Sequence, residues 1–157
     1  MRIAVSACLL GERCKYNGGS NLDEGLVAAL AEHEVVPICP EVAGGLPTPR
    51  PRSEIHGDTV VNEHGVSVDA EFRAGAQAEL GRALKDGALD GAILQPRSPS
   101  CGIGSIYDGT FSKTLVPGDG VFATLLKEQG IPVYVPSEFL ELTDRMAERL
   151  YFPTKRS

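Results

Sequence analysis

The chain has 157 residues, of which 42% are hydrophobic and 23% charged, and its formal net charge is −6. This length suits one domain with its own core, and the composition excludes disordered, fibrous and disulfide-scaffold proteins. Because the acidic balance excludes a surface that attracts polyanions as a whole, we expect no nucleic acid polymer as a partner. We predict a single α/β domain over residues 1–157, with a flexible tail at 152–157.

The N-terminal residues predict neither a signal peptide nor a membrane span. The stretch MRIAVSACLLGERC has a short apolar run that Ser6 interrupts and that charges at Glu12 and Arg13 end. We therefore expect a cytoplasmic protein with reduced thiols and no membrane partner. Four cysteines are too few for a disulfide framework, and in a reducing compartment clustered cysteines favour metal binding or catalysis.

Short apolar runs alternate with helical patterns along the chain. The runs, each typical of a parallel strand covered on both faces, lie at residues 2–7, 34–39, 90–95 and 131–135. Amphipathic stripes predict helices at residues 21–33, 69–87, 118–130 and 137–151. We expect Asn21 to cap the first helix and Ser137 the last. The alternation predicts an α/β fold, a three-layer sandwich with a mainly parallel, Rossmann-like central sheet.

One stretch breaks this alternation. Residues 40–68 are rich in proline and glycine and carry a weak hairpin signal, in which TVV and VSV flank NEHG. We predict a long excursion with a small β-hairpin between residues 59–61 and 66–68. Excursions of this length inside a compact domain are usually functional.

Three cysteines follow predicted strands. Cys8 follows the first strand, Cys39 closes the second, and Cys101 lies in the loop after the third. Because the carboxyl ends of parallel strands meet at one edge of the sheet, where ligands collect, we expect these three thiols to converge. Cys14, in the first loop, either joins them or lies just behind them.

Several interpretations of these thiols remain open. Thiolate sites select zinc or iron–sulfur clusters. The paired C-x-x-C of zinc ribbons and the run-type ferredoxin motif are both absent, and ligands from scattered loops favour an iron–sulfur cluster. The alternatives are cysteines that serve as small buried core residues and a disulfide between Cys8 and Cys14 formed by oxidation.

Polar residues beside the cysteines complete the candidate site. Glu41 lies two residues past Cys39, so it either reaches the same cavity or is a solvated loop acid. Ser98 and Ser100 flank a proline in the third loop and are either site residues or turn formers. Ser6 either points into the site or caps a backbone group.

Glycines and arginines near the cysteines are further candidates. Gly44 is expected to supply an unusual backbone angle or to allow close approach to a ligand. The segment PTPRPR is stiff and carries Arg50 and Arg52, which with Arg97 are expected to form a local basic patch beside a site.

Four motifs carry a resemblance to a known family. SACLLGERCKYNG, CPEVAGGLPTPRPRSEI, RSPSCG and IYDGTFS occur in that order. In this order they resemble the family long catalogued as domain of unknown function 523, which includes thiouracil desulfidase. The resemblance covers about residues 1–140, which is nearly the whole chain.

The resemblance implies an enzyme with a 4Fe-4S cluster held by only three cysteines, here Cys8, Cys39 and Cys101, with the fourth iron open. It implies non-redox removal of sulfur from a thiolated pyrimidine, with Glu41 and Ser98 beside the attacking water. We expect a free thiolated nucleobase or nucleoside as substrate.

Backbone amides and an arginine are further candidates for binding this substrate. We expect Arg50, or the amides around Gly44 and Gly102, to bind the pyrimidine's oxygens.

Two other functions compete with this hypothesis. In one, Cys14 completes a four-cysteine iron–sulfur redox or sensor module, because a fourth thiolate on the open iron would convert a catalyst into an electron carrier. In the other, the chain is a structural zinc protein without catalysis. The oligomeric state is open.

Overall fold

The structure, a computed structural model, describes residues 1–151, so the predicted flexible tail at 152–157 lies outside the described residues. The strands are β1 (Arg2–Ser6), β2 (Glu34–Ile38), β3 (Ser53–His56), β4 (Thr59–Asn62), β5 (Gly91–Ile93), β6 (Ser105–Tyr107), β7 (Leu115–Pro117) and β8 (Val133–Tyr134). The helices are α1 (Glu24–Ala29), α2 (Pro40–Ala43), α3 (Asp69–Leu84), α4 (Val121–Glu128) and α5 (Pro136–Tyr151). A single 3-10 turn, Ala7–Leu10, follows β1.

The central sheet has four parallel strands in the order β2-β1-β5-β8. The chain first extends the sheet on one side of β1 and then on the other, so the strand order reverses beside β1. Ligands collect at such a reversal in open α/β sheets. This sheet confirms the predicted Rossmann-like architecture.

The two faces of β1 belong to different halves of the core, which makes the fold a three-layer sandwich. Ala4 points to the side of α3 and α4, where it packs in one cluster with Ala76. Ile3 and Val5 point to the other side and pack in a second cluster with residues of α1 and α5, including Phe139. Each central strand is therefore apolar on both faces, as the nearly continuous apolar runs predict.

Two predicted helix caps are wrong by one or two residues. Asp23, not Asn21, caps α1, because its carboxylate accepts the Leu26 N–H at 3.0 Å. The helix α5 begins at Pro136, so Ser137 lies inside it. Proline suits a first helical position, where its missing N–H costs no bond. Within residues 1–151 the helices lack the combination of length and apolar character that a membrane crossing requires.

The hairpin in the excursion pairs different residues from those predicted. Strand β4 contains the TVV segment as expected, but its antiparallel partner is β3, which precedes it. Between them Gly57, with φ of 66°, forms the turn. The VSV segment also pairs with β4, as predicted, but through one bridge between Val61 and Ser67 and two backbone hydrogen bonds rather than as a strand. A second hairpin, β6 with β7, was not predicted.

The short helix α2 lies unusually close to α3. A Cβ atom at Gly75 on α3 would lie 1.8 Å from the Pro40 carbonyl oxygen. A Cβ atom at Gly44 would lie 2.0 Å from the Glu71 carbonyl oxygen. Gly44 has an ordinary φ of −77°, so the close approach that it allows is to α3 and not to a ligand.

This contact predicts opposite effects of the same substitution at two glycines of α3. Gly75→Ala should lower the free energy of unfolding by about 2 kcal/mol or more, because overpacking forces backbone shifts. Gly81→Ala is the matched control, since a Cβ atom there meets nothing within 4 Å. It should raise stability by about 0.5–1 kcal/mol through helix propensity. Urea unfolding measures both, and a loss at Gly81 equal to that at Gly75 would contradict the contact.

Candidate functional site

A cavity of about 400 Å³ opens at the carboxyl edge of the central sheet, beside the strand reversal. Residues from the loops after β1, β2 and β5 line it, together with residues of β3 and of the segment after β6. All four cysteines contribute to its wall: Cys8, Cys14, Cys39 and Cys101. The predicted convergence of thiols therefore holds, and all four are free thiols.

Each of three thiols is fixed by the end of a parallel strand. Cys8 lies in the 3-10 turn after β1, where its carbonyl accepts the Asn21 N–H at 2.9 Å. Cys39 directly follows β2 and is the residue before α2. Cys101 ends a tight turn after β5 that begins at Arg97, whose φ of 62° is left-handed. Cys8 and Cys101 are buried, while Cys39 is partly buried.

The thiols influence one another electrostatically. Burial raises the pKa of Cys101 to about 12, and the nearby Cys8 adds to this effect. Burial also raises the pKa of Cys8, with a further contribution from Cys39. The hydrogen bond from Cys14 lowers the pKa of Cys39. Several thiolates in this cavity would repel one another, so the cavity favours them only together with a positively charged partner.

Cys14 lies beside Cys39. The Cys39 thiol is 3.9 Å from the Cys14 carbonyl oxygen, and the hydrogen bond with Cys39 raises the pKa of the Cys14 thiol. The Cys14 carbonyl also accepts a 2.8 Å bond from Arg50 Nη2. Cys14 is thus part of the thiol cluster, and neither it nor Cys8 forms the disulfide considered from the sequence.

Arg50 is a buried junction between the loops of the site. Its Nε donates to Glu41 Oε1 at 3.1 Å, and its side chain is only 4% exposed. Its Nη1 donates to the Thr48 hydroxyl at 3.0 Å and to the Pro47 carbonyl at 3.3 Å. With the bond to Cys14, one guanidinium therefore ties the first loop to α2 and to the proline-rich segment. Four of its five N–H groups are thus bound by the protein, and the expectation that Arg50 binds the pyrimidine's oxygens stays a prediction.

Glu41 is joined to the turn after β5 by a chain of hydroxyl groups. Ser100 Oγ donates to Glu41 Oε2 at 2.9 Å, and Ser98 Oγ lies 2.9 Å from Ser100 Oγ. Ser98 Oγ also accepts the backbone N–H groups of Ser100 and Cys101, each at 3.1 Å. Since the carboxylate only accepts and Ser98 already accepts twice, the hydroxyl protons point from Ser98 through Ser100 to Glu41.

The remaining sequence candidates have structural partners. Ser6 is buried, its Oγ accepts the Gln95 N–H at 3.0 Å, and its hydrogen bond to Cys101 counteracts the rise in that thiol's pKa. The amides of Gly44 and Gly102 donate to the Pro40 and Ser98 carbonyls respectively. The expectation that amides around Gly44 and Gly102 bind substrate is therefore wrong for these two amides, because both are used inside their own turns.

The cavity has a basic rim that the sequence reveals only in part. Five cationic residues line it, Lys15, Arg50, Arg52, Arg97 and Lys113, against two acids, Glu41 and Glu54. Of the predicted patch of three arginines, Arg52 and Arg97 belong to this rim, while Arg50 is buried in its ion pair with Glu41; the two lysines and Glu54 were not predicted. Against a chain with a net charge of −6, this rim makes the cavity entrance locally attractive to anionic groups.

Glu54 anchors a strained segment at the cavity. Its buried carboxylate oxygen Oε1 accepts the backbone N–H groups of Gly109 at 3.0 Å and Phe111 at 3.1 Å. Phe111 and Lys113 both have left-handed φ values, 57° and 62°. Such strain in non-glycine residues is typical of functional segments. The motif IYDGTFS was the available signal, although it names no individual residue.

The thiols suit a group larger than one ion. Within residues 1–151, no three or more histidine, cysteine, aspartate or glutamate side chains are grouped so that they could hold a single metal ion. A tetrahedral zinc with bonds of about 2.3 Å needs its sulfurs about 4 Å apart. The arrangement therefore does not match a structural zinc site. A soft, all-sulfur donor set around an open cavity fits an iron–sulfur cluster.

Fold and site together define a class: α/β proteins of the Rossmann-like type with a cysteine-lined cavity at the strand reversal. The family model of 2-thiouracil desulfurase matches residues 3–138. This chain belongs to that family, which confirms the resemblance found in the motifs.

Two relatives illustrate the match. The solved structure of the 4Fe-4S-dependent thiouracil desulfidase TudS is 44% identical, with a TM-score of 0.84 over 93% of this chain and 97% of TudS. The uncharacterized protein YbbK of Bacillus subtilis (strain 168) is 38% identical over 150 residues, which are 89% of this chain and 99% of YbbK.

The hydrogen bonds of Arg50 predict a large loss of stability when its guanidinium group is removed. Arg50→Met should lower the free energy of unfolding by about 3 kcal/mol, because it removes the hydrogen bonds of a buried guanidinium and leaves the partly buried Glu41 carboxylate without its charged partner. Arg52→Met is the control, since its ion pair with Glu63 is more exposed, and it should cost about 1 kcal/mol or less. Urea unfolding of cluster-free protein gives both values. Equal losses would contradict the role of Arg50.

Proposed function

We propose that this protein is a 4Fe-4S-dependent desulfidase that exchanges the sulfur of a thiolated pyrimidine for oxygen without net redox change. The observation that carries the proposal is the convergence of three strand-end thiols and Glu41 on one cavity. The family match and the 44% identity to TudS bear out the enzyme class and the cofactor predicted from the motifs.

Cys8, Cys39 and Cys101 are our candidates for the cluster ligands. Each follows a different parallel strand and each lines the cavity. The bound cluster supplies, at an iron without a protein ligand, a Lewis acid for the sulfur of a C=S bond. The positive charge of the irons would offset the repulsion between the thiolates and the effect of burial, which otherwise favours the protonated thiols of Cys8 and Cys101.

Glu41 is our candidate for the general base. It faces the cavity, and Arg50 stabilises its negative charge. In the overall reaction, water gives its oxygen to the ring carbon, the sulfur leaves as sulfide, and the protons of the water are taken up by Glu41 and the sulfide. No electron acceptor or donor is needed. A base held in place typically accelerates such a step by about 100- to 10,000-fold.

Ser98 and Ser100 support two different roles in this proposal. Ser98 is only partly buried and lines the cavity, but its hydroxyl accepts two backbone amides and donates its proton to Ser100. Ser100 is fully buried and bonds directly to Glu41. We assign to Ser98 the role of fixing the Ser100 hydroxyl, and to Ser100 the role of orienting the Glu41 carboxylate, which takes its proton directly from water.

The substrate in this proposal is a free thiolated nucleobase or a nucleoside, not a nucleic acid polymer. The cavity of about 400 Å³ is of the size that small-molecule sites have. The net charge of −6 weighs against a polymer. The proposal treats residues 1–157 as one domain and the cytoplasm as its location, in keeping with four free thiols.

A second candidate function is an iron–sulfur redox or sensor module with four thiolates. The observation that favours it is the position of Cys14, which lines the same cavity and lies beside Cys39. A fourth thiolate would remove the open coordination position that desulfuration requires. The two functions therefore differ in whether Cys14 binds the cluster.

Substitution of single cysteines distinguishes the two functions. After anaerobic reconstitution with iron and sulfide, the wild type should consume 4-thiouracil and release sulfide. Cys101→Ala should lose cluster absorbance and activity together, whereas Cys14→Ser should keep both. Loss of the cluster in Cys14→Ser would favour the redox module. A loaded wild type that leaves every thiolated base and nucleoside unchanged would refute the desulfidase.

The carboxylate and its hydroxyl link predict graded losses of activity. Glu41→Gln should lower kcat by about 100-fold or more at unchanged cluster content. Ser100→Ala should lower it by about 10-fold, as is typical for a partner one step behind the reacting group. Glu34→Gln is the matched control, since Glu34 also pairs with an arginine Nε but lies at the far end of β2. Full activity in Glu41→Gln would exclude Glu41 as the base.

A further inference from the structure

A buried acid on α3 has no part in the reaction described so far. Glu79 is 7% exposed and lies among the apolar residues of α3 that face the sheet. Charged side chains are almost never buried in this way unless they are paired. The partners of its two carboxylate oxygens therefore indicate its role.

One oxygen of Glu79 binds the backbone just after β2, and both oxygens bind Arg82. Oε2 accepts the backbone N–H of Cys39 at 2.8 Å. Arg82 donates two hydrogen bonds to the same carboxylate, from Nε to Oε1 at 2.9 Å and from Nη2 to Oε2 at 3.0 Å. Arg82 Nη2 also donates to the Pro37 carbonyl. The ion pair of Glu79 with Arg82 thus fixes the backbone on both sides of Ile38, the last residue of β2 before Cys39.

The amide that Glu79 holds belongs to a candidate ligand. We propose that Glu79 is a positioning residue for Cys39, which fixes the direction of this thiol and keeps its backbone N–H away from the sulfur atoms of the bound cluster. This inference rests on the proposed function, because it takes Cys39 as a cluster ligand. It assigns Glu79 no contact with substrate.

The physical consequence concerns the cluster's reduction potential. Hydrogen bonds to the sulfurs and nearby charge set the potential of an iron–sulfur centre. Without Glu79 the Cys39 amide is free to donate to sulfur, a negative charge is lost, and Arg82 is left unpaired. All three changes stabilise the reduced, more negative cluster. The potential should therefore become more positive when Glu79 is removed.

The test compares Glu79→Leu and Glu79→Gln with a matched variant of the same helix. Asp69 also accepts a backbone amide, that of Val60 at 3.1 Å, and pairs with Arg73, but it lies at the other end of α3. Asp69→Leu and Asp69→Asn therefore remove the same kinds of bond without touching a cysteine. The measurements on anaerobically loaded protein are the potential and the rate of iron loss to a chelator.

Glu79→Leu should shift the potential upward and lose iron about 10-fold faster or more, as expected for a partner of a metal ligand. Glu79→Gln keeps an acceptor for the Cys39 amide, so it should restore most of the iron retention and shift the potential less. The Asp69 variants should match the wild type in both the reduction potential and the rate of iron loss. An unchanged potential and rate in both Glu79 variants would overturn the proposal, even if they unfold more easily.

A measurement without the cluster separates this inference from the proposed function. In cluster-free protein, the alkylation rate of Cys39 relative to Cys101, read by peptide mass spectrometry, should rise several-fold in Glu79→Leu and not in Asp69→Leu. Equal relative rates would overturn the positioning role. If the wild type binds no cluster but the alkylation ratio changes, the proposed function fails while the control of Cys39 by Glu79 stands.

Discussion

The close packing of α2 on α3 is the constraint on which the site depends. Two backbones meet there with no room for a Cβ atom at Gly44 or Gly75. Because α2 follows Cys39 directly and carries Glu41, this contact sets where a candidate cluster ligand and the candidate base stand relative to the sheet. A helix of only four residues has little stability of its own, so tertiary contact must hold it in place.

Hydrogen bonds to Glu41 then join the other loops of the site to α2. Arg50 joins Glu41 to the first loop, and Ser100 joins it to the turn after β5. Buried polar networks of this kind are strong when every member is satisfied and costly when one is removed. Within the part of the chain that the structure describes, no buried side-chain nitrogen or oxygen lacks a partner. The loops that carry the thiols are therefore joined by hydrogen bonds to Glu41 and not by disulfide bonds.

The central sheet and the meeting of the thiols could be predicted because both follow from periodicity and from the geometry of parallel strands. The hairpin in the excursion could be predicted only in part, because TVV pairs on both sides, with Ser53–His56 as a strand and with VSV through a single bridge. The sequence does carry a signal for Glu79, because it lies seven residues after Phe72 and therefore on the same face of the predicted helix as this apolar residue. A charge on an apolar stripe indicates a partner, but the sequence alone does not say that the partner is the Cys39 amide.

The two serines of RSPSCG show why residue type and spacing do not settle roles in a turn. From the sequence, Ser98 and Ser100 are equivalent neighbours of one proline. In the structure, the backbone turns so that Ser98 accepts two amides and faces the cavity, while Ser100 points inward to Glu41. The amides fix Ser98 as a donor toward Ser100, and the carboxylate fixes Ser100 as a donor toward Glu41. Ser98 therefore holds the Ser100 hydroxyl in the orientation in which its proton points to Oε2 of Glu41, so the carboxylate is held by the turn after β5 as well as by Arg50.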